Sequence, residues 1–254
     1  MYRLILIVPI CLMLMLSACA TTERVPQKIV AIRNVVFDYI PPAGAEPGAA
    51  EMIIILVNPQ YAASFEDARS EPFVSFAKSM GNDFEETLTT RGYKVMGPYR
   101  SYDELVYSVK EEGDVILDVE IDLTIKLDEV TAERDYSWNA IITGEKRLFL
   151  NGAVSIFGKL NMKAIEPLSS EKIWVKSIPI NPVSFGIKTT TPLTEVELKR
   201  DPFPLSDPGV YNPLSLKLEV IYKEAMSKAY IYLEPKELQQ LKPQIQKIKD
   251  RVRH

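Results

Sequence analysis

The strongest constraint on the fold is an alternation of apolar and polar residues over 113–128. Aliphatic side chains at the odd positions from Val115 to Leu127 are interleaved with polar ones such as Asp118 and Glu120. Because successive side chains of a strand point to opposite faces, this period of two predicts a strand with one buried and one hydrated face. Such strands are typical of antiparallel sheets that pack one face against helices.

Further segments carry strand or helix patterns. Apolar residues at steps of three and four predict a long helix between Pro72 and Gly92. Ser101 and Glu104 form a capping-box pattern that predicts a short helix ending at Gly113. Apolar runs and alternation predict strands over 29–39, 52–57, 148–165 and 172–180.

The last third of the chain divides into two parts. The proline-rich segment 181–213 predicts an extended surface excursion, and Asn212 caps a helix that begins at Pro213. Taken together, these elements predict an α+β domain whose mostly antiparallel sheet packs against a long helix in the N-terminal half and a C-terminal helix.

The N-terminus has the layout of a secretory signal. Arg3 precedes the apolar run 4–16, and the small residues Ser17 and Ala18 lead to Cys19. This cysteine at the cleavage point resembles a bacterial lipobox, in which the thiol and the new amine receive acyl chains such as palmitate. The run is short for a membrane span, which needs about 20 apolar residues.

The interpretation as a lipoprotein divides the chain into four parts. We expect a signal peptide at 1–18, a lipidated tether at 19–28, an α+β domain at 29–235 and a basic amphipathic helix or tail at 236–254. Ala20 after the cysteine resembles the class that is sorted to the outer membrane. The expected membrane partner is therefore outer-membrane lipid, bound through acylated Cys19.

Composition excludes several function classes. The formal charge of −4 argues against a nucleic-acid binder, which is usually basic. The one histidine is the terminal His254, and Cys11 lies in the signal segment, so zinc sites, His-based triads and disulfide scaffolds are not expected. Nucleotide-binding glycine motifs and the nucleophile motif Gly-x-Ser-x-Gly are lacking. The sequence therefore predicts a protein that is not an enzyme and that holds no cofactor or metal.

The connection between the two long predicted strands offers a candidate ligand-binding site. It contains Arg134, Tyr136, Trp138 and Asn139. Arginine and aromatic residues on a loop suit recognition of a glycan or a protein. The alternative is a hairpin tip whose aromatic side chains fold back over the sheet.

Two charged features have a functional and a structural interpretation. The acidic row Asp118, Glu120 and Asp122 could bind a divalent cation or a basic partner, or it could be the hydrated face of a strand. The basic residues of 236–254 could contact anionic lipid. The structural alternative is the hydrated face of an amphipathic helix whose apolar residues, for example Leu238 and Ile245, dock either inward or onto a second copy of the chain, which leaves a dimer open.

Short identities connect the chain to a known family. The run ILVNPQYAASF…SFAKSMGNDFEETLTTRGYKV over 55–95, EEGDVIL over 111–117 and IEPLSS over 165–170 resemble the neuraminyllactose-binding hemagglutinin (HpaA-type) lipoproteins. The lipobox before these runs and the lysine-rich helix after them fit the same pattern. The resemblance covers most of the chain after the signal segment.

The resemblance implies a surface-exposed lipoprotein of the outer membrane or flagellar sheath that acts as an adhesin for sialylated glycans. The lysine-rich segment proposed as the family's sialic-acid contact falls here on 128–135, where Arg134 is the only basic residue. Since a sialate carboxylate needs Arg or Lys donors, that specificity does not carry over. The alternative function is a periplasm-facing structural lipoprotein that binds a cell-envelope protein.

Overall fold

The computed structural model describes residues 30–46, 48–144 and 146–252, without the side chains of residues 138–140 and 252. From Ile32 onward the residues belong to one compact unit, called the domain below. Its strands are β1 (Ile53–Val57), β2 (Gln60–Tyr61), β3 (Lys94–Tyr99), β4 (Val115–Arg134), β5 (Arg147–Ile165), β6 (Lys172–Lys188) and β7 (Leu193–Thr194). Its helices are α1 (Phe73–Thr90), α2 (Tyr107–Glu112), α3 (Trp138–Thr143), α4 (Glu195–Arg200), α5 (Pro208–Tyr232), α6 (Pro235–Gln239) and α7 (Lys242–Val252).

The strands form one mixed sheet in the order β3-β1-β4-β5-β6, with β2 beside β4 and β7 beside β5. β1 is parallel to β3 and β4, whereas the long strands β4, β5 and β6 are antiparallel neighbours. The predicted α+β class is therefore confirmed. The alternating segment 113–128 is a strand, and it continues beyond the predicted end to Arg134.

Helices α1 and α5 cover one face of the sheet. The predicted apolar stripe of α1 is buried, with Phe76, Met80, Phe84 and Leu88 in the same cluster as the inward side chains of the sheet. The rings of Phe76 and of Tyr222 in α5 meet edge to face at 5.2 Å between centroids. On the opposite face, α2 and the 3-10 turn Tyr102–Glu104 cover a smaller cluster beside β1.

A buried carboxylate joins three separate segments to this helix layer. Asp83 in α1 accepts hydrogen bonds from the Tyr39 backbone N–H at 2.8 Å and from the Tyr222 hydroxyl. Burial raises the pKa of the Asp83 carboxyl because the charged form loses hydration, and the two hydrogen bonds partly oppose that shift. The segment around Tyr39 is thereby fixed to both α1 and α5.

The prediction of a first strand over 29–39 is wrong for the described part of that range, since residues 32–42 lie in no strand. Of its β-favouring side chains, Phe37 is buried and Val35 is half-buried against the helices, whereas Ile32 and Val36 are exposed. Phe37 packs its ring on Phe76 and Tyr222, with centroids 5.2 and 5.4 Å away. This segment is therefore held by packing of Phe37 on the helices and not by strand pairing.

The predicted surface excursion over 181–213 is also wrong. β6 continues to Lys188, then β7 and α4 follow, and α5 begins at Pro208 rather than at Pro213. The N-cap is Asp207, whose carboxylate accepts the Gly209 N–H at 2.7 Å. The prediction took proline as a sign of irregular structure, but an edge strand such as β6 and the first turn of a helix both tolerate proline.

The capping-box prediction at Ser101 is wrong. The Ser101 side chain caps nothing, and Glu104 instead accepts the Arg100 backbone N–H at 2.9 Å. The short helix therefore splits into a 3-10 turn and α2, which ends, as predicted, before Gly113.

The C-terminal helices pack at the amino-terminal end of β4. Leu238 and Ile245 are buried in the main core, and Ile248 is buried as well. The Lys249 ammonium donates to the Gly113 carbonyl oxygen at 2.9 Å. The apolar stripe of this basic segment thus faces the domain.

Removing the hydroxyl of Tyr222 should destabilise the domain. Tyr222→Phe leaves the buried Asp83 carboxylate without one of its two donors, so we expect a loss of about 1–3 kcal/mol in the free energy of unfolding. Urea denaturation at pH 7 measures it. Tyr107→Phe, at a tyrosine that is 67% exposed on α2, is the matched control and should change stability by less than about 0.5 kcal/mol. Equal effects of the two variants would contradict the role given to Asp83.

Candidate functional site

The two longest strands continue past the main core as an arm, whose base is still packed: Leu150 and Val154 of β5 are buried with Ile187 of β6 and Val210 of α5. The arm consists of Thr124–Arg134 of β4 and Arg147–Phe157 of β5, and residues 135–146 form its tip. The two strands are paired continuously from Ile116 opposite Ile165 to Arg134 opposite Leu148, apart from one irregularity between Leu127 and Val130. In β4 the alternation of buried and half-buried residues gives way to full exposure from Asp128 onward.

Local hydrogen bonds build the arm tip. The Asp135 backbone N–H donates to the Arg147 carbonyl oxygen at 2.8 Å and closes the hairpin. The Asp135 carboxylate then accepts from the backbone N–H and the hydroxyl of Ser137 at 2.8 and 2.9 Å, which starts α3. A short polar residue that turns the backbone in this way is a usual helix entry.

The arm tip carries large apolar side chains in water. Tyr136 is 76% exposed, Ile141 61% and Ile142 75%. Exposed apolar groups that lie together on a protruding element are typical of a contact surface, whereas isolated ones are ordinary. The arm tip is therefore the part of the domain that best fits a binding role.

The predicted site residues fall on this element. Arg134 is the last residue of β4 rather than part of a loop, and Tyr136 lies in the arm tip. Trp138 and Asn139 begin α3, and their side chains are outside the described part. Sequence reasoning missed Ile141 and Ile142, although two adjacent isoleucines in a connection between polar strands are a readable signal.

The acidic residues of the arm are partly neutralised. Asp128 accepts from the Ser155 hydroxyl and lies 3.2 Å from the Lys126 ammonium. Glu133 pairs with Lys188 of β6 at 3.2 Å. The surface around Arg134 is consequently of mixed charge.

The acidic row on β4 is paired with lysines of β5. Lys163 lies 2.9 Å from the Glu120 carboxylate and 3.6 Å from that of Asp118, and Lys159 lies 3.6 Å from Asp122. Across the described ranges no group of three or more His, Cys, Asp or Glu residues is arranged to hold a metal ion. The acidic row is therefore the hydrated face of the sheet, and cross-strand ion pairs hold its carboxylates.

Hydrogen bonding sets the ionisation of this row. Bonds from Lys163 and Asn161, at 2.9 and 3.0 Å, hold the pKa of the Glu120 carboxyl below its ordinary value. The pKa of Lys163 is raised in turn, because its bonds and charge contacts with Glu120 and Asp118 together outweigh its burial. Both groups stay charged at neutral pH, so neither is poised for proton transfer.

A groove of about 730 Å³ lies at the carboxyl end of β1. The order β3-β1-β4 makes this the point where parallel connections diverge, a place where α/β sheets often bind ligands. Its charged side chains Glu66, Arg69 and Lys78 are exposed to water, and the Gln60 amide is bonded to the Asn58 and Arg100 carbonyl oxygens. Tyr61 also lines the groove, and its hydroxyl is desolvated and donates to the Phe73 carbonyl oxygen at 2.9 Å.

Cys19, the predicted lipidation site, lies outside the described residues. Within the described part of the chain, no helix has the length and apolar character needed to cross a bilayer.

Comparison with solved structures connects the fold to a protein of Helicobacter pylori described as a neuraminyllactose-binding hemagglutinin homolog. The match covers 86% of this chain and 100% of that one, with a TM-score of 0.56 and 16% identity. The chain shares its fold. At this identity the likeness concerns fold alone, and it confirms the sequence resemblance at that level.

Two other solved proteins match with low scores. A lipoprotein of Neisseria meningitidis covers 53% of this chain and 83% of its own, with a TM-score of 0.25 and 12% identity. A protein of Xanthomonas campestris covers 82% and 99%, with a TM-score of 0.35 and 12% identity. These scores are too low to carry an argument. No protein-family model and no curated sequence matches the chain.

Replacing Lys163 should weaken the sheet in a pH-dependent way. Lys163→Gln removes the half-buried partner of Glu120, and we expect a loss of up to about 1 kcal/mol at pH 7, since water screens part of the attraction. The lowered pKa of Glu120 stabilises the fold above the ordinary value of 4.5, and this gain is lost as pH falls through the lowered pKa. The difference between wild type and variant should therefore shrink on acidification.

Urea denaturation at pH 7 and at pH 3 measures this difference. Lys126→Gln is the control, because its partner Asp128 is on the exposed arm and the change should be smaller. A difference that stays constant with pH would contradict the role given to Glu120.

Proposed function

We propose that the protein is a lipid-anchored, non-catalytic binding protein of the bacterial cell envelope, and that the arm is its contact element. The observation that carries this proposal is the arm tip, where Tyr136, Ile141 and Ile142 are exposed at the end of the two longest strands. Arg134, Trp138 and Asn139 belong to the same contact element.

The lipid anchor is supported by the sequence before the domain. The apolar run 4–16 and the small residues before Cys19 fit signal cleavage and acylation of that thiol. Two or more acyl chains anchor a protein stably, at about 0.8 kcal/mol per buried CH₂ group. Ala20 favours the outer membrane as the destination.

The hemagglutinin-type fold supports a finer form of the proposal, an adhesin exposed on the outer membrane or flagellar sheath. The mixed charge of the arm favours a ligand without a negative charge over a sialylated glycan. The second candidate is a periplasm-facing lipoprotein that binds another envelope component. The two forms place the domain on opposite sides of the outer membrane.

Replacing the acylated thiol tests the anchor. Cys19→Ser should move the protein from the membrane fraction to a soluble fraction, because the thiol sulfur is the atom that receives the lipid. Cell fractionation with detection of the domain measures it, and Cys11→Ser is the matched control, expected to stay in the membrane. A Cys19→Ser protein with unchanged size and membrane yield would refute the lipoprotein proposal.

Protease treatment of intact and permeabilised cells distinguishes the two forms. The adhesin form predicts that the domain is digested on intact cells. The periplasm-facing form predicts protection until the outer membrane is permeabilised. A periplasmic protein degraded only after permeabilisation serves as the control for membrane integrity.

A further inference from the structure

The start of the domain lies at the same end as the arm. The Arg33 backbone N–H donates to the Asn212 side-chain oxygen at 2.8 Å, and the Arg33 guanidinium is 2.9 Å from the Glu219 carboxylate. Asn212 is in the second turn of α5. The chain therefore enters the domain beside the amino-terminal half of α5.

That end of α5 is level with the arm. Gly209 is so close to the backbone of Lys188 that a Cβ there would lie 1.8 Å from the Lys188 carbonyl oxygen. Lys188 pairs with Asn151 of β5, which in turn pairs with Thr131 of β4. The arm tip begins four residues beyond Thr131, or about 13 Å at 3.3 Å per residue.

The basic C-terminal segment lies at the other end of the domain. Lys249 bonds to Gly113, just before β4 starts, and Arg251 pairs with Glu171 in the turn between β5 and β6 at 2.7 Å. β4 has 20 residues and so spans about 60 Å. α6 and α7 are thus remote from the point where the chain enters the domain.

The length of chain between Cys19 and Ile32 limits the distance from the lipid. Thirteen residue steps span at most about 45 Å when fully extended. A membrane that holds Cys19 is therefore within about 45 Å of the point where the chain enters the domain, which is at the arm end.

Apolar side chains are exposed at this end on two elements. The arm tip contributes Tyr136, Ile141 and Ile142. Val196 in α4 is 74% exposed, and it follows Thr194, which pairs with Arg147 at the base of the arm tip. Aromatic and aliphatic side chains on a protruding element suit the boundary between headgroups and acyl chains.

We infer that the arm tip docks on the lipid surface that holds acylated Cys19, and that it serves as a second membrane contact. This inference rests on the proposed lipid anchor. Arg134, Lys146 and Arg147 lie near Glu133 and Asp135, so the flanks of the tip have no strong net charge. The contact consequently suits zwitterionic lipid and depends little on salt.

The two tryptophans of the chain provide the test. Trp138 lies in α3, whereas Trp174 of β6 donates its indole N–H to Glu237 at 3.1 Å near the remote end of the domain. The acylated full chain is reconstituted into phosphatidylcholine vesicles with brominated acyl chains, which quench tryptophan only on contact. Trp174→Phe leaves Trp138 as the reporter, and Trp138→Phe leaves Trp174.

We expect the Trp138 emission to be quenched by brominated lipid and the Trp174 emission to be unchanged. Ile141→Ser combined with Ile142→Ser should reduce the quenching of Trp138. Ile231→Ser, at an isoleucine that is 62% exposed near the carboxyl end of α5, should leave it unchanged.

Three results would overturn the inference. A vesicle-bound chain with unquenched Trp138 leaves the lipid anchor standing and assigns the arm tip to a protein or glycan partner. Equal quenching of both tryptophans indicates a domain without a defined orientation. A chain that does not associate with vesicles refutes the anchor and the membrane contact together.

Discussion

The structure depends on the ladder of hydrogen bonds between β4 and β5. At one end β4 pairs in parallel with β1 and belongs to a buried sheet between two helix layers. At the other end the same two strands form the arm, packed at its base on Val210 of α5, and end in the exposed arm tip. One strand pair thus transmits the rigidity of the core to an exposed element, because an antiparallel ladder of this length fixes register at every residue.

A long exposed hairpin needs protection against pairing with other chains. The irregularity between Leu127 and Val130 and the charges of Asp128, Glu129 and Glu133 interrupt the outer edge of β4. Such bulges and charges are common devices on edge strands. The apolar surface of the arm is concentrated at its tip, where the backbone turns into α3 and offers no strand edge.

The two ends of the domain differ in character. The end with α7 is a surface of paired charges over buried isoleucines, whereas the arm end combines the chain entry with exposed apolar side chains. This polarity puts the chain entry and the arm tip at one end, and it separates the basic C-terminal helices from them.

The sequence by itself determined the α+β class, the strand of alternating residues, the buried stripe of α1 and the pairing of long strands, because these follow from periods of two and of about 3.6 residues. It also identified Arg134 and Tyr136 as neighbours of an exposed connection. Predictions from local patterns were wrong where a side chain contacts a residue that is distant in sequence. Phe37 packs on the rings of α1 and α5 instead of in the predicted strand, and Asn212 bonds Arg33 instead of capping a helix. Only the tertiary structure could decide that the chain entry and the arm share one end, since that arrangement depends on contacts between residues more than a hundred positions apart.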